Sequence, residues 1–486
     1  MSNLHTTLAE HPLFKTGYFV AGEWHTAAET FDVLNPATGE TLAKVARAGK
    51  AQTEAAINAA SQAFPQWRKT TGKARSEILY RWYQLMLENK QFLAELMVAE
   101  QGKPLQEALG EVDYAASFLQ WFAEEAKRGN GEIIPPVKAG SRIFATREPV
   151  GVVAAITPWN FPLAMLTRKL GPALAAGCTG LIKPANNTPL CAMALLELAK
   201  QAGVPDGVIN GVAGDTAAIS EAIMQSTAVR KISFTGSTEV GKTLVRNSAA
   251  TMKKVSMELG GNAPYIVFDD ADIDAAIDGV IACKFRNSGQ VCVAINRIYV
   301  QAAIYDRFVS RLADRVSTLQ VGNGMDKGVT IGPLIDIKGL EKVEEHVKDA
   351  LQHGGQLLTG GQRHRLGGNF FQPTVIAQAN DDMRLAREET FGPLAACFRF
   401  DSEEEVIKRA NATEFGLAAY FYTQNLQRVF RVAEAIESGM IGINECALST
   451  EVAPFGGVKE SGRGREGSVL GMEEYLQVKT LHLGNL

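Results

Sequence analysis

Hydrophobic and polar positions divide this chain into a helical region followed by two regions of mixed pattern. Between residues 51 and 128, Ala55, Ile57, Ala60, Ala63 and Phe64, then Ile78, Trp82, Leu85 and Met86, recur with helical spacing. That period buries one face of each helix, and the stretch reads as a helical shell with no chemistry of its own. Ahead of it, residues 18–24 read as a short strand and DVLNPATGE (32–40) as turn-rich. From about residue 147, short apolar runs alternate with helical ones. Strands are expected at 150–156, 180–183, 208–212, 231–234 and 254–257, and helices at 162–176, 190–202, 217–225 and 240–249. Such alternation belongs to βαβ units on a parallel sheet. A second α/β block runs from about 262 to 450, with helices at 273–285, 305–319 and 340–352 and strands at 297–300, 418–422 and 440–443. PFGGVKESGRGREG (454–467) reads as a glycine-rich loop, and residues 475–483 alternate enough for an edge strand. Residues 134–150 and this tail are expected to form an arm that pairs with another subunit.

Length and composition narrow the picture. A chain of 486 residues exceeds what one core usually supports and points to two or three domains. A net charge of −4, from 49 basic and 53 acidic residues spread throughout, leaves no broad basic face for nucleic acid. Six cysteines without a CxxC pair suggest neither a disulfide framework nor a metal site, and a reducing, cytoplasmic compartment is expected. The start has no secretory pattern, and the apolar runs are too short to span a bilayer. No membrane partner is expected.

Candidate chemistry gathers at the ends of the expected strands. TPWN (157–160), KPANN (183–187) and FTGSTEVGK (234–242) lie where ligands bind in open α/β sheets, which suggests a nucleotide site. GSTEVGKT (236–243) fits the phosphate-loop spacing between a strand and a helix. Glu239 would then put a carboxylate in the phosphate cradle, and the alternative is a helix N-terminus that receives a dinucleotide pyrophosphate. The G-x-G-x-x-G pattern is absent after every expected strand of this α/β block. In KFRNSGQVCVAINR (284–297), Cys292 follows a Gly-Gln step. It reads as a nucleophile or as a core thiol, since free cysteine is among the most buried residue types. Glu258, at a strand end before Gly260-Gly261, could be a general base or a solvated turn carboxylate. Asn160 could donate to an oxyanion or cap a helix. Arg168 and Arg286 stand alone in apolar stretches, as surface side chains or as a pair binding a carboxylate.

Together, TPWNFP (157–162), KPANNTP (183–189), FTGSTEVG (234–241), MELGGNAP (257–264), NSGQVCVAINR (287–297), EETFGP (388–393) and PFGGVKESGRGREG (454–467) resemble the aldehyde dehydrogenase superfamily. They occur in the family's order, and the resemblance extends over about residues 17–483. It implies an α/β, aldehyde dehydrogenase-like fold. A Rossmann-like NAD(P)-binding domain would take residues 1–133 and 151–260, and a catalytic domain 261–450. A β oligomerisation arm with the C-terminal segment would take 134–150 and 451–486, with a homodimer or homotetramer as the expected assembly. The resemblance further implies that Cys292 attacks an aldehyde to give a thiohemiacetal, with Asn160 and the Cys292 backbone N–H as the oxyanion hole. Glu258 would activate water against the ensuing thioester. Trp159, Lys183, Asn186, Gly236, Ser237, Leu259, Glu389 and Phe391 would occupy cofactor-binding positions, with residues 236–243 as the pyrophosphate turn. Many NAD-preferring members carry glutamate where this chain has Asn186. The neutral amide should let NADP be tolerated, and the choice between NAD and NADP stays open.

Within the superfamily the chain is similar to succinate-semialdehyde dehydrogenases. Arg168, Arg286 and Ser449 match that group's clamp for the substrate's distal carboxylate, a role that suits paired guanidinium groups. The implied reaction is oxidation of a short carboxylate-bearing semialdehyde, succinate semialdehyde to succinate. Glutarate or 2-oxoglutarate semialdehyde remain alternatives, as does a broad-specificity enzyme in which both arginines are structural. A P-loop nucleotide hydrolase and a non-catalytic member are more distant alternatives. Some members of the group place a second cysteine two residues after the nucleophile, where a disulfide can form. Here that position is Ala294 and Cys283 is not expected to reach, so no such switch is expected. Cys446 has no assignable role.

Overall fold

In the computed structural model, which describes residues 2–484, the chain builds two large α/β sheets and two small ones. The first large sheet has eight strands, in the order Gly462–Arg463, Lys254–Glu258, Val229–Thr235, Val152–Ile156, Thr179–Lys183, Ile209–Gly211, Tyr18–Val20, Glu23–His25. Its middle, from Lys254–Glu258 to Ile209–Gly211, is parallel throughout. Val152–Ile156 and Thr179–Lys183 are buried at every position. That is what a parallel strand needs when helices cover both faces. The helices Ala164–Ala176, Pro189–Gln201, Thr216–Gln225 and Thr238–Ser248 make the crossovers. The expected strands and helices of this region are all present, with ends displaced by one to a few residues.

Two expectations at the N-terminal end need correction. Residues 18–24 are two strands, Tyr18–Val20 and Glu23–His25, joined at Ala21 (φ 54°) and Gly22 (φ 82°). Two left-handed residues in a row are the tight-hairpin arrangement. DVLNPATGE is turn-like only in its second half, because Thr30–Leu34 pairs with Thr41–Ala46.

The second large sheet runs Gln356–Thr359, Thr374–Ala379, Leu394–Phe400, Ile295–Gln301, Ala263–Val267, Ala418–Tyr422, Met440–Ile443. Apolar clusters pack on both of its faces. The helix expected at 273–285 stops being α-helical at Val280 and continues as a wider π turn over Ile281–Phe285. Such turns often mark functional sites.

The shell helices Gly72–Glu88, Lys90–Gln101 and Leu105–Glu125 share one core with the crossover helices of the first sheet. A separate three-stranded antiparallel sheet pairs Leu476–Leu483 with Arg142–Pro149, and the latter with Glu132–Ile134. It leaves Ile133 79% and Val478 69% exposed. No helix is long and apolar enough to cross a membrane, and no cluster of three or more metal-ligating side chains occurs among the described residues.

Candidate active site

A cavity of about 370 Å³ lies between the two large sheets, lined by Trp159, Asn160, Gly236, Ser237, Leu259, Cys292, Glu389 and Phe391 among others. Sequence-distant candidates thus share one pocket. Lys183, Asn186, Glu258, Arg168, Arg286 and Ser449 stand outside its lining.

The loop that presents Cys292 is held against its own backbone preference. Asn287 (φ 48°), Ser288 (φ 56°) and Gly289 (φ 76°) are all left-handed. Each non-glycine residue there costs on the order of 1–3 kcal/mol, and such strain persists only where the surroundings over-determine it. Here they do. Gln101 Nε2 donates to Asn287 Oδ1 at 3.0 Å, the Asn287 N–H donates to Glu107 Oε2 at 2.7 Å, and the Ile335 N–H donates to Gln290 Oε1 at 2.9 Å. A Cβ on Gly289 would fall 2.1 Å from the Gly392 carbonyl oxygen. The Cys292 side chain is half-buried, set in a dense shell of protein. Burial, then the negative charge of Glu389, pushes its thiol up to about 12, against the lowering pull of Arg168 and Arg286.

Asn160 is buried, and its Nδ2 donates one proton to the Gln290 carbonyl at 2.9 Å. The other Nδ2 proton has no acceptor among the described residues, and neither has the backbone N–H of Cys292. Asn160 is not a helix cap. The helix Ala164–Ala176 is capped from outside, by Glu111 Oε1 accepting from the N–H groups of Leu163 (3.0 Å) and Ala164 (3.3 Å). Lys103 balances that carboxylate at 2.5 Å and donates to the Asn160 carbonyl at 2.8 Å. Glu111, Glu107 and Tyr114 all belong to the helix Leu105–Glu125, so the expectation of an inert helical shell fails. The helical period there hid polar residues facing inward.

Glu258 is buried, and neither carboxylate oxygen has a hydrogen-bond partner among the described residues. Its carboxyl lies against Gly456, where a Cβ would come within 2.9 Å of Oε1. Burial, then Glu466, raises it well above the usual carboxylate range. Glu466 is also buried but is held low by Lys169 and Arg168, which outweigh its desolvation. Two neighbouring carboxyls with affinities pushed apart are the usual arrangement for acid–base work. The solvated-turn reading of Glu258 is excluded by its burial.

Arg168 departs from the expectation of a free substrate clamp. It is 1% exposed, pairs with Glu466 Oε2 at 2.9 Å, and packs over the Phe455 ring at 4.0 Å. Its charge is therefore matched within the chain. Its Nη1 donates to the Tyr114 hydroxyl at 3.2 Å, while Nε and Nη2 lack an aligned acceptor. Tyr114 is also hydrogen-bonded with Ser449 and feels the charge of Arg286. Tyr114 is the residue that joins the three expected clamp residues, and nothing in its helical spacing signalled it. Arg286 is exposed, stacks over Phe161 at 5.2 Å, and forms no salt bridge among the described residues.

The residues expected to hold a dinucleotide differ in how the fold engages them. Ser237 caps the helix Thr238–Ser248, its hydroxyl accepting from the Val240 N–H at 3.4 Å. Because the helix starts at Thr238, GSTEVGKT is not an open phosphate loop, and Lys242 is occupied by Glu460 at 2.5 Å. The P-loop alternative falls on both counts. Lys183 is buried, its ammonium has no hydrogen bond or ion pair among the described residues, and burial draws it down to about 8. An unpaired buried ammonium suits a hydroxyl or phosphate ligand. Asn186 exchanges both amide groups with Gly214, donating to its carbonyl at 2.7 Å and accepting from its N–H at 3.2 Å. Glu389 accepts from the Gly261 N–H at 3.2 Å and is pushed up to about 7 by burial. A Cβ on Gly260 would crowd Glu389 Oε2 at 3.1 Å. Trp159 meets Phe391 edge-to-face at 5.6 Å. A separate groove of about 750 Å³ lies between Thr216–Gln225 and Thr238–Ser248, lined by Ala217, Met224 and, from the GSTEVGKT stretch, Glu239, Val240 and Thr243.

The model for the aldehyde dehydrogenase family matches residues 24–481. The chain is 56% identical to a 3-sulfolactaldehyde dehydrogenase of Pseudomonas putida, over 99% of both chains. It is 55% identical to the NADP(+) succinate-semialdehyde dehydrogenase of Escherichia coli K12, over 98% of this chain and 99% of the relative. The crystal structure of succinate-semialdehyde dehydrogenase from Burkholderia pseudomallei superposes with a TM-score of 0.97 at 54% identity, covering 98% of this chain and 99% of the other.

Proposed function

Because the chain belongs to the aldehyde dehydrogenase family, we propose that it oxidises a short aldehyde bearing a distal carboxylate, best matched by succinate semialdehyde, with NAD or NADP as acceptor. The observation that carries this reading is Arg286, an unpaired guanidinium in the turn before Cys292, beside Phe161 of the cavity wall. An uncharged aldehyde would leave that charge without a partner. The distal anion pairs with Arg286 and meets the hydroxyls of Tyr114 and Ser449, with Arg168 polarising Tyr114 from behind.

So anchored, the aldehyde presents its carbonyl carbon to Cys292 Sγ. Asn160 Nδ2 and the Cys292 N–H donate to the oxygen as it becomes an alkoxide. The thiol proton passes to ionised Glu258 as the C–S bond forms, since burial keeps the resting thiol protonated, and the carboxyl then releases it to solvent. When bound, the oxidised dinucleotide supplies the two-electron acceptor that no side chain offers. The thioester left on Cys292 is cleaved by water, whose proton passes to ionised Glu258 while the thiol departs. Lys183 and Glu389 hold the ribose hydroxyls, Gly236 and Ser237 the pyrophosphate, and Trp159, Leu259 and Phe391 flank the site. Neutral Asn186 raises no charge against a 2′-phosphate.

The eight-stranded sheet would form the cofactor domain, the seven-stranded sheet the catalytic domain, and the exposed three-stranded sheet the contact between subunits of a dimer or tetramer. Six free thiols fit a cytoplasmic setting. The Pseudomonas putida relative makes an aldehyde with a distal sulfonate a second reading, because Arg286 would bind either anion. The test is kcat/KM for succinate semialdehyde, 3-sulfolactaldehyde and butanal in the wild type and in Arg286→Ala. Loss of the anionic substrates alone supports the reading, and equal loss of all three defeats it.

A further inference from the structure

Cys283 and Cys446 lie 163 residues apart in sequence yet meet behind the substrate side of the pocket. The Cys283 thiol donates to the carbonyl of residue 446 at 3.5 Å, and each thiol shifts the other's proton affinity. Tyr422 Oη is 3.4 Å from Cys446 Sγ, and Cys446 Sγ also reaches the Gly279 carbonyl at 3.5 Å. Gly279 leaves room for this sulfur, since a Cβ there would stand 3.0 Å from it. The two thiols differ in access. Cys283 is 9% exposed, whereas Cys446 is half-exposed on an irregular loop that leaves the strand Met440–Ile443.

We propose that Cys283 and Cys446 form a reversible disulfide under peroxide, and that this bond ties together the two segments that read the substrate. Cys446 is the attacking thiol. Its sulfur displaces hydroxide from the peroxide, giving a sulfenic acid and water, and the peroxide oxygen is reduced. Cys283 then attacks the sulfenic sulfur, forming the S–S bond and releasing a second water, so both hydrogens leave as water and two electrons go to the peroxide. Cys283, with the Tyr422 hydroxyl 3.4 Å from the Cys446 sulfur, holds the Cys446 thiol below its ordinary value, which favours it as the first nucleophile. Cys446 stands three residues before Ser449, and Cys283 three residues before Arg286. A bond between them would pin the Ser449 loop to the π turn that leads directly into Arg286. The disulfide stands on the thiol geometry alone, while its effect on substrate binding rests on the proposed roles of Arg286 and Ser449.

The test has two arms. In Cys292→Ser, mild hydrogen peroxide should remove about 2 Da from the intact protein, with one cross-linked peptide joining Cys283 to Cys446 that dithiothreitol releases. In the wild type, the same treatment should raise KM for succinate semialdehyde on the order of tenfold, the scale of one lost contact to a charged group. Dithiothreitol should reverse this, and Cys446→Ala should not show it. Absence of the cross-linked peptide overturns the disulfide. A cross-linked peptide with unchanged KM overturns only the link to the substrate readers.

Discussion

At the scale of single residues, the site pairs groups that are inert at rest. Burial raises both the Cys292 thiol and the Glu258 carboxyl above their ordinary values. Both reactive forms are bases that appear only as pH rises through elevated values, so activity should climb from acid into mildly alkaline solution. A flat profile across that range would contradict the burial of Glu258. Glu258→Gln should release reduced cofactor in a single burst and then stall at the thioester, seen by rapid-mixing absorbance. Full steady-state turnover would place the base elsewhere. Cys292→Ala should abolish oxidation while cofactor still binds, as measured by fluorescence titration. Cys292, Glu258 and Asn160 were legible as candidates because each sits in a distinctive motif. Tyr114 and Glu111 were not, because an inward polar side chain on a long amphipathic helix leaves no local mark.

Elements decide how these side chains are aimed. The parallel strands were readable as continuous apolar runs, and Val152–Ile156, buried at every position, is typical. The strands Thr374–Ala379 and Leu394–Phe400 escaped notice because their spacing lacks a helical crossover pattern of the kind that frames the first sheet. The turn over 287–289 was also illegible, since left-handed φ angles at Asn287 and Ser288 follow from tertiary hydrogen bonds rather than from residue type. Gly289→Ala should therefore lower Tm and slow alkylation of Cys292 by iodoacetamide, as its new methyl meets the Gly392 carbonyl. On the cofactor side, Asn186→Glu should cut kcat/KM with NADP on the order of a hundredfold while sparing NAD, the effect of setting like charges together in a partly buried site. Unchanged discrimination would mean that Asn186 does not face the 2′ position.

For the whole molecule, the exposed arm and the anion reader carry the account. Val478 and Ile133 lie exposed on a sheet with open edges, a surface that ordinary proteins cover. Val478→Lys with Ile133→Lys should reduce the assembly to smaller species in light scattering, and an unchanged mass would move the interface elsewhere. That arm was foreseeable from alternation, whereas the reach of Gly462–Arg463 back to the first sheet was not, since two residues carry no periodic signal. The central claim is that Arg286 selects an aldehyde with a distal anion. It is tested most directly by the ratio of kcat/KM for succinate semialdehyde over butanal. A charge pair on a guanidinium held against an aromatic ring supports a ratio on the order of a hundredfold, collapsing in Arg286→Ala, whereas a wild-type ratio near one would contradict it.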